Sequence, residues 1–242
     1  VTVPATRPLS RVHVVIPAND EEELLPAALR SVADAVTQLG RFRPEIHASV
    51  TVVLDACVDG SRRVAEQFPQ VALSEIERRS VGAARAHGVV VATAGEPASE
   101  LDRLWLASTD ADCVVPSDWL VRQVVLADVG VDLVIGTVEP DDALDSATLA
   151  RWWRLHHLRD GHPHVHGANL GVRLSAYVDC GGFEPVAVHE DVRLVERIRR
   201  SGAACLASSA VHVRTSGRTR GRTAGGFADY LGALSEQESL TG

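Results

Sequence analysis

Asp110-Ala111-Asp112 sets two carboxylates one residue apart, close behind the apolar run Leu104 to Ala107. Carboxylate oxygens so spaced on a turn can hold a hard divalent cation and leave positions open for phosphate oxygens. Such a cation neutralises a departing diphosphate. The triplet alone is a weak signal, because 17 aspartates in 242 residues give about one by chance. The competing reading is a capped strand-to-helix turn. A second acidic pair, Glu190-Asp191, opens an Arg-rich stretch. There a carboxylate serves either as general base toward a hydroxyl or as a favourable charge at a helix N-terminus. Asn19 to Glu21 and Asp55 follow two further apolar runs.

These residues need a frame. Val12 to Ile16, stopped by Pro17, reads as a buried strand. Asn19 or Asp20 can cap the following helix, with Glu21, Glu22 and Glu23 at its positive end. Leu24, Leu25, Ala28, Val32, Ala35, Val36 and Leu39 fall at helical spacing, and Gly40 is expected to stop that helix. Val50 to Leu54 is a second strand, and Asp59-Gly60-Ser61 leads into a helix through Phe68. Val71 to Ile76 and Leu104 to Ala107 are strands, with a helix over Val81 to Ala92 between them. Pro116 and Ser117 open another helix, and Val131 to Val138 returns as a strand. Further on come a helix over Ala147 to Leu158 and a His- and Gly-rich loop, then a strand over Leu170 to Arg173. A helix over Glu190 to Arg200 and a strand over Ala203 to Ala207 follow. This alternation predicts a single α/β domain over residues 1–242, Rossmann-like, with a mostly parallel central sheet and helices on both faces. Ligands in such sheets bind beyond the carboxyl ends of the strands, where Asn19 to Glu21, Asp55 and Asp110 with Asp112 recur.

The formal net charge of −8 argues against a nucleic-acid partner. All 24 basic residues are arginine. Cys57, Cys113, Cys180 and Cys205 lie far apart without a C-x-x-C pair, so neither a cysteine zinc site nor a disulfide framework is indicated. The greasy stretch Val121 to Val138 is broken by Arg122, Gln123, Asp128 and Asp132 and reads as no transmembrane segment. No charged-then-apolar leader opens the sequence. A soluble, cytoplasmic protein is expected, with peripheral membrane contact left open.

Six motifs occur in order: Val14-Val15-Ile16-Pro17-Ala18-Asn19-Asp20-Glu21-Glu22, Val52-Val53-Leu54-Asp55, Asp110-Ala111-Asp112 before Trp119-Leu120, Gly167-Ala168-Asn169-Leu170-Gly171, Gly181-Gly182-Phe183-Glu184 and His189-Glu190-Asp191. Each is modest; the ordered set, over about residues 12–213, resembles family 2 glycosyltransferases. The resemblance implies a GT-A fold, a nucleotide-diphospho-sugar donor and a bound Mn²⁺ or Mg²⁺. It makes residues 12–138 the nucleotide-sugar-binding half, 139–213 the acceptor and catalytic half, and 214–242 an Arg-rich loop with a C-terminal helix. At the matching positions Pro17, Ala18, Asn19 and Glu21 would lie beside the nucleoside, and Asp55 would accept the uracil imide N–H. Gly82 and Arg85 match a segment whose arginine approaches the diphosphate. Asp112 would ligate the metal and Asp110, across Ala111, would contact ribose or metal. His212 would complete the metal shell, or else is a strand-end histidine. Asp191 would be the catalytic base of an inverting reaction, with Glu190 orienting the site. Asp20 stands where asparagine is usual, and Ala56 where an acidic or amide residue is frequent. These departures leave a GDP-sugar open beside the favoured UDP-sugar.

His162, His164 and His166 alternate, which in an extended segment could chelate zinc. Pro163 interrupts the triplet, and Asp160 is the one acidic residue nearby. The preferred reading is a loop on the acceptor and sugar side, with His166, Gly167, Asn169 and, further on, Gly182. Arg218, Arg220 and Arg222 make either a clamp over the diphosphate or a solvated loop, and Phe227, Tyr230 and Leu231 suggest a short docking helix. Two alternatives stand beside the inverting transferase. One is a retaining enzyme of the glucosyl- or mannosyl-phosphoglycerate synthase type; the other binds nucleotide sugars without turnover.

Overall fold

The computed structural model describes residues 8–222 and 225–239. Its elements run β1 (Arg11–Ala18), α1 (Leu25–Phe42), β2 (His47–Asp55), α2 (Ser61–Ala65), β3 (Val71–Ile76), α3 (Val81–Ala92), β4 (Leu104–Ser108) and β5 (Cys113–Val114). Then follow α4 (Trp119–Asp128), β6 (Leu133–Pro140), α5 (Ser146–Leu155), β7 (Leu170–Arg173), α6 (Leu174–Asp179), α7 (Glu190–Ser201), β8 (Cys205–Thr215) and α8 (Phe227–Ser239). The strands form one curled sheet in the order β3-β2-β1-β4-β7-β6-β8-β5. β3, β2, β1 and β4 are mutually parallel, as are β6 and β8. β7 runs antiparallel between β4 and β6, and β5 antiparallel along β8. The sheet is therefore mixed.

The apolar strands are buried on both faces, as a sheet covered by helices requires. Val12, Val14 and Ile16 of β1 pack on the side of α1 and α4, with Leu29, Trp119 and Val124. Val15 points the other way, toward Val89 of α3 and the α7 residues Leu194 and Ile198. Gly88 lets α3 lie close to the sheet: a Cβ there would come 3.0 Å from Val53 Cγ2. A smaller cluster of Leu144, Trp152, Leu231 and Leu234 joins α8 to α5. No helix among the described residues is long and apolar enough to cross a membrane.

Several local expectations are corrected. Neither Asn19 nor Asp20 caps α1, which starts after Leu24 without a side-chain cap. Asp20 instead accepts the N–H groups of Val58 (2.7 Å) and Asp59 (3.2 Å), and Asn19 donates to Asp55 O at 2.7 Å. Gly40 does not stop α1. The helix ends at Phe42 because Arg43 precedes Pro44, and a residue before proline is pushed out of the α region. The second helix stops at Ala65 rather than Phe68. β8 is longer than expected, and its irregularity between Gly136 and Thr137 of the partner strand is one the alternation of residues does not reveal.

Candidate active site

Beyond the carboxyl ends of β1, β2 and β4 lies a cavity of about 550 Å³ lined by Asn19, Glu21, Asp55, Asp110, Asp112 and Asp191, among others. That volume lies in the range of small-molecule sites. At one end Asp55, 3% exposed, closes the turn into α3. Its Oδ1 accepts from the backbone N–H groups of Arg78 (2.7 Å) and Arg79 (2.8 Å), and its Oδ2 accepts from that of Ser80 (2.8 Å). Oδ2 therefore retains acceptor capacity. Ser80 Oγ caps α3 by accepting from Ala83 N (3.3 Å) and donates to Val186 O (2.9 Å). A serine before an apolar helical run was the available signal for it.

Acidic groups at the centre are held by three arginines. Arg85, buried on α3, donates to Glu190 and Asp110 and, at 3.2 Å, to Ser108 Oγ. Burial works against its charge, but Asp110 and Glu190 outweigh it and hold the guanidinium protonated. Burial pushes the Glu190 carboxyl up, against the pull of Arg85. Arg218 reaches across the cavity. It donates to Glu21 at 2.9 and 2.7 Å and lies 2.8 Å from Asp112 Oδ2, while Arg222 donates to Glu21 at 2.7 Å. Burial and the charge of Asp110 push Asp112 up to about 6, with Arg218 opposing.

Asp191, at the start of α7, is fixed by backbone. Gly167 N donates to its Oδ2 at 2.6 Å and Val192 N to its Oδ1 at 2.7 Å. A Cβ at Gly167 would lie 2.5 Å from Arg85 Cζ, so a side chain there would have to push the guanidinium away from its ion pairs. His189 precedes α7 with φ of 63°, the left-handed region. Next to Gly167, His166 is half-buried and held neutral: burial lowers it to about 4, against the charge of Asp191.

Pro17, Ala18, Asn19, Glu21, Asp55, Arg85, Asp110, Ala111, Asp112, His166, Gly167, Glu190, Asp191, Arg218 and Arg222 all line the one cavity. Other expectations are corrected. Asn169 is fully buried as a structural clamp: its Nδ2 donates to Thr137 O (2.8 Å) and Val211 O (3.0 Å), and its Oδ1 accepts from Trp119 Nε1 (2.9 Å). Gly182, with φ of 67°, serves a turn packed against Tyr177 and does not line the cavity. Gly82 lies under the 184–186 loop, where a Cβ would come 2.7 Å from Val186 O. Arg85 bridges Asp110 and Glu190 instead of being free for a phosphate. Arg220 is exposed and outside the cavity lining.

His212 does not join the group formed by Asp110, Asp112 and Cys113. It pairs with Thr137 inside the sheet, three residues before Thr215, whose hydroxyl lies 3.5 Å from Asp112 Oδ1. Successive strand residues alternate faces, so His212 points to the side opposite Thr215. The other histidines stack instead of converging: ring centroids are 6.0 Å apart for His162 and His164 and 6.3 Å for His164 and His166. Among the described residues they form no group close enough to share a cation, whereas Asp110, Asp112 and Cys113, and separately Asp20, Cys57 and Asp59, are close enough to do so. Sequence reasoning missed His156 and Val188 as lining residues. Neither carries a local signal, since α5 and the loop before α7 meet only in the fold.

Residues 13–166 match the family model for glycosyl transferase family 2. No curated protein sequence matches the chain. The mannosyltransferase PcManGT from Pyrobaculum calidifontis, in complex with GDP-Man and Mn²⁺, is similar with a TM-score of 0.64 at 24% identity, over 92% of this chain and 61% of that one. S. aureus TarS 1-349 in complex with UDP gives 0.62 at 13% identity, over 85% of this chain and 60% of that one. Glucosyl-3-phosphoglycerate synthase from Mycobacterium tuberculosis, with Mn²⁺, UDP and phosphoglyceric acid, gives 0.56 at 18% identity, over 93% and 75%. The chain thus spans about three fifths of the length of the first two, at 61% and 60%. The family match covers more than half of the sequence, and the curled mixed sheet has the GT-A form of these structures. The chain belongs to glycosyl transferase family 2.

Proposed function

We propose that the protein transfers a glycosyl group from a nucleotide-diphospho-sugar to an acceptor hydroxyl. The observation that carries this reading is the convergence of Asp55, Asp110, Asp112 and Asp191 on one cavity from three separate segments. The structures similar to it hold GDP-Man with Mn²⁺ or UDP, which supports a nucleotide donor. Uridine is favoured because Asp55 Oδ2, with a single backbone partner, can accept the imide N–H of uracil; GDP remains the other candidate. Pro17, Ala18, Asn19 and Glu21 flank the same end.

The donor set fits a hard divalent cation. Asp110 and Asp112 supply carboxylate oxygens, the ligands a hard cation such as Mn²⁺ or Mg²⁺ prefers over the soft sulfur of the neighbouring Cys113. These two aspartates would hold Mn²⁺ or Mg²⁺, which when bound neutralises charge on the diphosphate. Arg218 and Arg222 add guanidinium groups suited to phosphate oxygens. As the acceptor oxygen attacks the anomeric carbon and the carbon–diphosphate bond breaks, Asp191 takes the acceptor proton on Oδ1 or Oδ2. Its two backbone donors fix the carboxylate for that transfer. Glu190, tied to Arg85, holds the site in shape and takes no proton. Attack on the face opposite the diphosphate gives inversion. The test is a product screen with UDP- and GDP-sugars followed by NMR of the product anomer. Retained configuration contradicts the Asp191 mechanism, and the absence of any transferred sugar contradicts the activity.

A further inference from the structure

The two ends of the cavity differ in chemistry. Around Glu21, Asp110 and Asp112 it is charged, and Arg85, Arg218 and Arg222 are committed to those carboxylates or to Glu190. Beyond Asp191 the lining changes to His156, Val165, His166, Val188, Phe227 and Tyr230. His166 meets Phe227 edge to face at 5.7 Å, and His156 meets Tyr230 likewise at 5.6 Å. The polar atoms of His156 and Tyr230 on this wall are already paired. Tyr230 Oη and His156 Nε2 share a hydrogen bond of 3.2 Å, and His156 Nδ1 lies 2.9 Å from Trp152 O. Burial keeps His166 neutral. The wall adjoins the base directly, because Gly167, next to His166, donates to Asp191.

We infer that the acceptor is an uncharged hydroxyl compound with a flat apolar body, an aryl or polycyclic alcohol, seated on the His156–His166–Phe227–Tyr230 wall with its hydroxyl at Asp191. The inference rests on the glycosyl-transfer reading and adds the acceptor class. Aromatic edges and aliphatic methyls gain from a ring face laid against them. A phosphorylated or carboxylate acceptor would bring its charge to Asp191 without a free cation on that wall. A sugar acceptor would need side-chain donors and acceptors for its several hydroxyls, and with His156 and Tyr230 already paired the wall offers only the one imidazole of His166.

Direct binding of 2-naphthol, an uncharged fluorescent phenol, tests this at pH 6.5 after UDP and MgCl₂ have been shown by calorimetry to bind. Saturable 2-naphthol binding is expected, weakened about three- to tenfold in Phe227→Ala. Phe227 also helps dock α8, so Val188→Asp provides a second variant, placing charge on the wall. It should abolish 2-naphthol binding while UDP binding persists. 3-Phosphoglycerate and methyl glucoside should not displace the probe. Displacement by either, no saturation with UDP bound, or indifference to both variants overturns the acceptor class. Failure of both UDP and GDP to bind the wild-type protein instead overturns the glycosyl-transfer reading, and is seen before any acceptor is added.

Discussion

Arg85 and Glu190 are 105 positions apart in the chain yet form an ion pair in which each side chain is only 3% exposed. Asp110 shares the same guanidinium. The pair fastens α3 to α7 and thereby joins the Asp-x-Asp turn to the segment that carries Asp191. Removing one partner leaves buried charge uncompensated. Arg85→Met should cost about 3–5 kcal/mol in urea unfolding, and adding Glu190→Gln should recover part of that loss. A single-variant cost under about 0.5 kcal/mol, the level of ordinary surface changes, would contradict a bridging role.

Arg218 competes for the oxygen that a cation would use, since its guanidinium lies 2.8 Å from Asp112 Oδ2. Arg218→Ala should tighten Mn²⁺ binding in the absence of nucleotide, on the order of tenfold for about 1.4 kcal/mol of relieved competition. Free Mn²⁺ counted by electron paramagnetic resonance reads this without any turnover. Unchanged affinity would mean that the ion pair does not oppose the metal.

His166 sets a pH dependence of folding. Its folded value of about 4 lies below its ordinary 6.5 because of burial. Between those values the unfolded chain takes up a proton that the folded one refuses, so stability falls as pH drops through the window. Above pH 6.5 this group imposes no penalty. Because the ring is only half-buried, the expected loss between pH 7 and pH 5 is on the order of 1 kcal/mol. His166→Gln should show a smaller drop in Tm between those two pH values than the wild type. Equal drops would place the titration elsewhere.

Asp191→Asn should lower sugar transfer by about 10²- to 10⁴-fold while nucleoside diphosphate affinity stays at the wild-type level. Asparagine keeps one acceptor oxygen, so either Gly167 N or Val192 N loses its partner, at about 1 kcal/mol of stability. Stopped assays with saturating donor, paired with calorimetry, separate the two effects. Transfer at the wild-type rate would remove Asp191 from the proton path.

The parallel half of the sheet was legible because its strands are short apolar runs, with β2 ending at Asp55 and β4 just before the turn at Asp110; Pro17 does not stop β1, which pairs with β2 through Ala18. β3, α3 and β7 match their expected bounds residue for residue. The two-residue β5 and six-residue α6 leave no periodic trace at that length. The carboxylates Asp55, Asp110 and Asp112 were readable because they end or follow strands. The fate of Asn169 was not: a Gly-Ala-Asn segment looks the same whether its amide faces a ligand or bonds to the carbonyls of Thr137 and Val211. The placement of His212 was hidden for a similar reason, since the irregular register of β8 decides which face it takes. Pairing of Arg218 with Glu21, 197 positions apart, depends on closure of the tail over the cavity and has no local signature.

The cavity should bind a nucleoside diphosphate through the Asp110–Asp112 end. Calorimetric titration of UDP and GDP, each with and without Mn²⁺, into wild type and Asp112→Ala tests it most directly. Metal-enhanced binding of at least one nucleotide is expected in the wild type. At 100 times its dissociation constant the ligand should also add about 2.7 kcal/mol to stability. The metal enhancement should vanish in a folded Asp112→Ala. No heat from either nucleotide, or equal Mn²⁺ enhancement in the variant, would contradict the account.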